Sequence, residues 1–246
     1  MILINGRKKQ ALYTGNEING QPIADDPVAF YTMDNIVGSS LIDESGNGYH
    51  GTLINSPTQV EGRIGKALDF VPASTQYVNC GAAMGNALGT ITAFSVSTWF
   101  KADTALSGPD GLFYVGTYGG VSHGLFTLFT YTADKLYFRM AEAAFDANVP
   151  IGDMSAYHHV VAIYTGTKGL LYLDNVKVVD SATGVPVSLA LTGETIIGSS
   201  RSNSYTFDGQ IEQVRIYDRA LSESEIDALY RERVSPNLFV NGKPFN

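Results

Sequence analysis

From residue 28 onward the chain is written as short apolar runs divided by Gly, Asp, Asn and Ser. The runs include VAFYTM (28–33), ALDF (67–70), YVNC (77–80), FSVSTWF (94–100), GLFYVG (111–116) and LFTLFTY (125–131). KLYFRMA (135–141), HHVVAIY (158–164), GLLYLDN (169–175), VKVVD (176–180), ETIIGSS (194–200) and GQIEQVRIYD (209–218) follow. Runs of this length cannot build long helices, and regular spacing with turn residues between them predicts a β-sandwich or barrel. FSVSTWF alternates: Phe94, Val96, Thr98 and Phe100 face one way, Ser95, Ser97 and Trp99 the other. LYLDNVKVV (171–179) places Asp174-Asn175 between two such runs, which predicts a hairpin, because both residues tolerate the left-handed backbone a tight turn needs.

One helix is expected, in LSESEIDALYRER. Ser222 with Glu225 three residues on is a capping box. Ile226, Leu229 and Tyr230 then form an apolar stripe that packs the helix against the sandwich edge. The ends differ from the middle. LINGR (3–7) and FVNGK (239–243) share two apolar residues, Asn-Gly and a cation, so each predicts a small hairpin. These hairpins either pair with each other or add to the sheet edge of a neighbouring subunit. The organisation is therefore an N-terminal arm (1–27), a sandwich (28–233) and a C-terminal tail (234–246).

The net charge of −8 and the lack of a basic stripe exclude a nucleic-acid binder, Arg7-Lys8-Lys9 being a solvated end. No run approaches the roughly 20 apolar residues of a membrane span, and the opening MILINGRKKQ has no signal peptide. Cys80, the single cysteine, leaves no internal disulfide and reads as a core thiol.

Apparent catalytic motifs fail. Gly120-Val121-Ser122-His123-Gly124 fits a nucleophile elbow, but a strand follows it where a helix is required. His158-His159 on a strand point to opposite faces and cannot grip one ion. No strand carries the close same-face carboxylates of a glycosidase, Glu212 and Asp218 being too far apart and Glu142 and Asp146 lying in a loop. Nothing in the sequence marks an enzyme.

DESGNGYHG (43–51) puts Asp43, Ser45 and Asn47 at the first positions of a calcium loop, but Ile54 stands where the bidentate Glu belongs. Two readings remain: an Asx-Gly turn without an ion, or part of a calcium site completed by other segments.

The blocks YTMDN, DESGNGYHGTL, GRIGKALDF, YVNCG, FSVSTWFKA, YHHVVAIYTG, LYLDNVKV, IIGSS and FDGQIEQVRIYDRALSESEIDALY occur in that order over about residues 28–231. Together they resemble the laminin-G-like jellyroll domains of the concanavalin A-like lectin/glucanase class. Tyr157 stands where Trp commonly precedes the His pair, Asn175 where Gly is common, and Gln213 follows Glu212 where an acidic residue often precedes Val. The resemblance implies an all-β, two-sheet antiparallel jellyroll with a concave face, a loop rim and one short C-terminal helix. It also implies a structural calcium, with Asp34, Asp43, Asn47 and Asp208 as ligands and Glu212 as a further one. Non-catalytic recognition of a carbohydrate or a surface protein follows, with Tyr118, His123, Arg201, Asn203 and Tyr205 in the rim loops as ligand-binding candidates. The alternative is an assembly protein of a virion or appendage that attaches to neighbouring subunits through residues 1–27 and 234–246; a polysaccharide hydrolase or lyase is a third reading. The expected location is a virion or the extracellular or cell surface, without membrane insertion.

Overall fold

The computed structural model describes residues 17–18, 21–22, 26–103, 109–116, 126–131, 135–140, 145–185, 189–191, 193–201, 204–232, 239–240 and 243–244. Fifteen of its strands carry the argument. In chain order they are β1 (Ala29–Tyr31), β2 (Gly51–Ile54), β3 (Thr58–Glu61), β4 (Lys66–Phe70) and β5 (Tyr77–Asn79). Next come β6 (Phe94–Ala102), β7 (Asp110–Gly116), β8 (Phe126–Tyr131), β9 (Lys135–Met140) and β10 (Phe145–Pro150). The last are β11 (His158–Tyr164), β12 (Gly169–Leu173), β13 (Val176–Ser181), β14 (Glu194–Ile197) and β15 (Gly209–Tyr217).

They form two sheets. Sheet one runs β13-β12-β11-β6-β15-β4-β3, with β1 also on β15; sheet two runs β10-β9-β8-β7-β14-β5-β2 and ends in two short strands, Ser40–Leu41 and Ile36–Val37. The pairings are antiparallel except for one bridge, Gly111 to Thr206. The expected two-sheet jellyroll is what the chain builds. Between the sheets, Phe94, Val96 and Phe100 of β6 meet Phe126 and Leu128 of β8 and Phe138 of β9. Phe126 packs edge-on against Phe94 at 5.0 Å between ring centroids. Such burial is worth about 1.5–3 kcal/mol per large side chain.

Two sequence signals hold closely. Asp174 and Asn175 take φ of 49° and 67° between paired Leu173 and Val176, the two-residue hairpin turn. The second is the C-terminal helix, which spans Glu223–Arg231: Ser222 Oγ accepts from Glu225 N, and Glu225 answers the Ser222 backbone N–H at 2.8 Å. Its position differs from the expected edge. It covers the outer face of sheet one, where Ile226 and Leu229 bury Val161, Ile163, Tyr172 and Tyr217. The reason lies in β11: HHVVAIY is apolar on both faces, so its outer residues need a cover. A further short helix, Ala83–Leu88, lies outside the sequence expectation, having no side-chain cap and too few residues to show a period. None of the described helices is long and apolar enough to cross a membrane.

Of the terminal motifs, 239–243 forms its hairpin, with Phe239 opposite Pro244 and Val240 opposite Lys243. Residues 3–7 lie outside the described residues. A related hairpin has Glu17 opposite Pro22 and Ile18 opposite Gln21, around Asn19-Gly20. Its sequence EINGQP parallels FVNGKP in its central Asn-Gly, its register and its closing proline.

Ser222→Ala removes the acceptor for a helix N–H and is expected to lower unfolding free energy by about 1 kcal/mol in urea titrations.

Candidate functional site

Two regions bear on function: the carboxylates around β15, and a cleft on the outer face of sheet two.

Asp43 is buried, and protein donors fill its carboxylate. Oδ1 accepts from Phe30 N at 2.9 Å and Ser45 N at 3.0 Å; Oδ2 accepts from Ser45 Oγ at 2.9 Å and Tyr49 N at 3.0 Å. Asn47 donates its amide to Val28 O at 2.9 Å. The stretch DESGNGYHG is thus an Asx turn clamped onto β1.

Glu212 and Asp34 are held by the loop Gly62-Arg63-Ile64-Gly65 between β3 and β4. Glu212 is fully buried and accepts from Arg63 N at 3.0 Å and Ile64 N at 3.1 Å. Asp34 accepts from Lys66 N at 2.9 Å. A Cβ at Gly62 would stand 2.0 Å from Glu212 Oε2, and one at Gly65 2.7 Å from both Asp34 oxygens. Both positions therefore require glycine, so that backbone N–H groups reach the carboxylates as a cation otherwise would.

Asp208 immediately precedes β15, four residues or roughly 13 Å from Glu212 at ~3.3 Å per residue. The Asp43 clamp on Phe30 lies farther along the strand, beside Arg215, roughly 20 Å from Gly209. Around Asp208 lie Asp69, Asp103 and Asp110. Burial, then the charge of Asp208, pushes Asp110 up to about 7; burial, then Asp103 and Asp208, raises Asp69. Among the described residues no three His, Cys, Asp or Glu side chains are arranged to hold a metal ion. Asp34, Asp43, Asn47, Asp208 and Glu212 therefore do not fit a single calcium ion. Asp43, Asp34 and Glu212 are satisfied by peptide donors, and Asp208 lies apart from them.

Beside Glu212, a buried polar layer lies between sheet one and the C-terminal helix. The Arg63 guanidinium lies 3.7 Å from the Trp99 ring centroid and donates to Glu232 O at 3.2 Å. Trp99 stacks on Tyr230, and Arg215 pairs with Glu232 at 2.8 Å. His159 Nε2 bonds Ser97 Oγ at 2.9 Å, whereas its Nδ1 has no partner, and burial next to Arg215 pushes the ring down to about 3. The Ser97–His159 contact ties β6 to β11, and the rings of Trp99 and His159 meet Tyr230 of the helix.

The cleft has a volume of ≈ 320 Å³. Its floor comes from alternate residues of two paired strands: Thr127 opposite Arg139 and Phe129 opposite Tyr137, with Tyr131 next along β8. The inward residues Phe126, Leu128, Leu136 and Phe138 fill the core, which turns this set outward. Phe129 and Tyr137 stack at 5.0 Å and 17°, Tyr131 meets Tyr137 edge-on at 5.9 Å, and the Arg139 guanidinium lies 4.9 Å over Phe129. The opposite wall holds Pro109, Ser200 and Tyr205. The strands Ser199–Arg201 and Ser204–Thr206 reach β7 only because Gly111 has no side chain: its Cβ would lie 1.8 Å from Ser200 N. Tyr205 has φ 59° and is 46% exposed; Tyr131 is 38% exposed. A left-handed backbone under an aromatic residue costs about 1–2 kcal/mol and is held by the surrounding structure.

Of the expected ligand-binding residues, Tyr205 stands on this cleft. Arg201 ends a strand paired with Ser204, its side chain outside the described residues. Tyr118, His123 and Asn203 also lie outside them, as does the Gly120–Gly124 motif. The floor residues were missed, although their signal was present in the alternation of FTLFTY and KLYFRM.

A family model of the laminin-G-like kind, described as the concanavalin A-like lectin/glucanases superfamily, matches residues 72–227. The chain belongs to this superfamily. No curated protein matches it. Among solved structures, this lectin/glucanase-type sandwich is similar to domain 4 of AbnA, an extracellular arabinanase of glycoside hydrolase family 43 from Geobacillus stearothermophilus, in complex with arabinotriose. The TM-score is 0.64 at 19% identity, covering 84% of this chain and 98% of that one. It is also similar to Trypanosoma rangeli sialidase, with a TM-score of 0.62 at 17% identity over 82% of this chain and 32% of the sialidase. The chain spans about a third of the sialidase. The binding domain of Paraclostridial Mosquitocidal Protein 1 is a third, with a TM-score of 0.59 at 16% identity over 84% and 52% of the two chains. At these identities the likeness is one of fold.

The buried ionisable groups set a pH profile. Burial outweighs the Ile64 and Arg63 N–H groups and pushes Glu212 up to about 7. A carboxyl raised in the folded state takes up a proton on folding, so stability falls as pH rises from its unfolded value to its folded one. Glu212 and Asp110 both act this way up to about 7. His158, raised by its bond to Asp174, likewise loses its contribution as pH rises. His159 acts oppositely, favouring folding as pH climbs from about 3 to the ordinary imidazole range. These effects cancel in part at acid pH. A decline in the urea midpoint is expected between roughly pH 6.5 and 7.5. Glu212→Gln and Asp110→Asn should each flatten it; an unchanged slope in both would show that neither carboxyl titrates there.

Proposed function

We propose that this chain is a non-catalytic recognition module that binds carbohydrate in the cleft on sheet two, at the surface of a virion or cell. The observation that carries this is the pair of exposed rings, Tyr131 and Tyr205, on the two sides of a cleft floored by Thr127, Tyr137 and Arg139. Aromatic faces cover the apolar faces of sugar rings, while hydroxyl and guanidinium groups take up sugar hydroxyls. The non-catalytic part of the reading rests on the lining: among the described residues it contains no Asp or Glu, and glycoside hydrolysis needs two facing carboxyl groups. The arabinotriose bound to domain 4 of AbnA supports the ligand class.

A glycan array followed by calorimetry tests the reading. The chain is expected to retain one or more oligosaccharides, with Tyr131→Ala and Tyr205→Ala each weakening binding about tenfold, or ~1.4 kcal/mol. An array without hits, or variants that bind as the parent does, sinks it.

A second reading, assembly through the terminal segments, is favoured by the matching hairpins at Glu17–Pro22 and Phe239–Pro244. Two-residue strands have too little contact to stand alone, so a shared partner surface would stabilise both. Removing residues 1–27 and 234–246 is expected to leave the sandwich folded and to abolish self-association or co-assembly in sedimentation experiments. Undiminished assembly would remove this reading.

A further inference from the structure

The charge of the cleft resides in Arg139. Its Nη2 bonds Asp146 Oδ2 at 2.7 Å, and its guanidinium lies over Phe129. Asp146 is directly opposite Arg139 on the next strand, β10, so register alone brings the two together. The carboxylate stands at the edge of the floor, while the Arg139 side chain is 16% exposed. The next residues outward on the same face of β10 and β9 are the neutral pair Asn148 and Tyr137. Lys135 lies beyond them, opposite Tyr131. The described floor therefore offers a ligand a guanidinium whose charge is already matched.

We infer that Asp146 is the specificity-determining residue of the cleft: by neutralising Arg139 it tunes the site to neutral oligosaccharides and against uronic-acid or sialic-acid chains. This rests on the carbohydrate reading above. An anionic sugar that approached Arg139 would meet the Asp146 carboxylate at the same guanidinium, and like charges at that distance repel. A neutral sugar can still accept from guanidinium N–H groups that Asp146 leaves unused, and the Phe129 ring under the guanidinium holds them in place with or without the ion pair. The chain as a whole carries a net charge of −8, which opposes anionic polymers in the same sense.

The test uses the full chain and its Asp146→Asn variant. Asparagine keeps the side-chain size and a hydrogen-bond acceptor but releases the charge of Arg139. Because the introduced asparagine still offers an acceptor and Phe129 still carries the guanidinium, the variant is expected to fold, which a thermal melt checks. Probes are a neutral panel (arabino-, xylo- and malto-oligosaccharides) and an acidic panel (oligogalacturonates and sialyl-oligosaccharides), titrated at low and high salt.

The parent is expected to bind members of the neutral panel and to bind the acidic panel at least tenfold more weakly. Asp146→Asn should keep the neutral affinity and gain about tenfold toward the acidic panel, a gain that salt suppresses. Arg139→Gln added to it should abolish that gain. A parent that prefers the acidic panel, or an Asp146→Asn variant without the gain, overturns this inference and leaves carbohydrate binding standing. A parent and variant that bind neither panel overturn both.

Discussion

The fold hangs on one buried contact, the Glu212 carboxylate on the backbone N–H groups of Arg63 and Ile64, which are 149 and 148 residues away in sequence. Around it, a single four-residue loop touches everything that must meet on sheet one. Gln213 reaches Ile64 O, and Arg63 lies on Trp99 of β6 and bonds the end of the C-terminal helix. A buried acceptor without such partners is costly, and leaving one unsatisfied costs about 1–3 kcal/mol. The arrangement is tolerable because both glycines of Gly62-Arg63-Ile64-Gly65 allow the backbone to close over oxygen atoms that any side chain would strike. The same layer carries the Arg215–Glu232 pair and the orphaned His159 Nδ1, so polar groups fix where the helix lies while Ile226 and Leu229 supply the apolar area.

Much of this was legible in the sequence, at positions where one local rule decides the outcome. Asp174-Asn175 could only be a tight turn between alternating runs, and Ser222 with Glu225 could only cap a helix. The placement of that helix was less legible. Amphipathic pattern shows which side is buried but not against what, and the doubly apolar β11 was the missing partner. The carboxylates show a harder limit. The family resemblance marked Asp34, Asp43 and Glu212 as oxygen donors, but sequence does not distinguish a cation from a peptide N–H as the group that satisfies them. The glycines at 62 and 65 carried that information, because a loop that must approach oxygen closely needs no side chain there. The resemblance grouped Asp208 with them, although the length of an extended strand separates it from the Asp43 turn.

The cleft residues were hidden for a related reason. KLYFRM marks Lys135, Tyr137 and Arg139 as its outer face, but FTLFTY carries large apolar or aromatic residues on both faces, so its alternation shows two faces without saying which meets the core. The second sheet resolves this by packing Phe126, Leu128 and Phe138 inward against Phe94 and Val96, which leaves Phe129, Tyr131 and Tyr137 outside. Recognition and stability therefore draw on the same two strands, from opposite sides of one backbone. Tyr205 adds a ring from a hairpin whose approach to β7 depends on Gly111.

The long sequence separation of the Glu212 contact also has a consequence for how the chain is made. β15 pairs with β6, β4 and β1, and the helix over sheet one follows it directly. A chain emerging from the ribosome therefore displays β1, β4 and β6 with their central partner absent, and β11 with its outer apolar face bare, until the last part of the domain appears. Such a topology folds late and as a unit, and it leaves unpaired strand edges open to other chains in the meantime. The domain is accordingly one whose yield in a cell is governed by how quickly its final strand and helix follow the rest, and by what shields the unfinished sheet while they do.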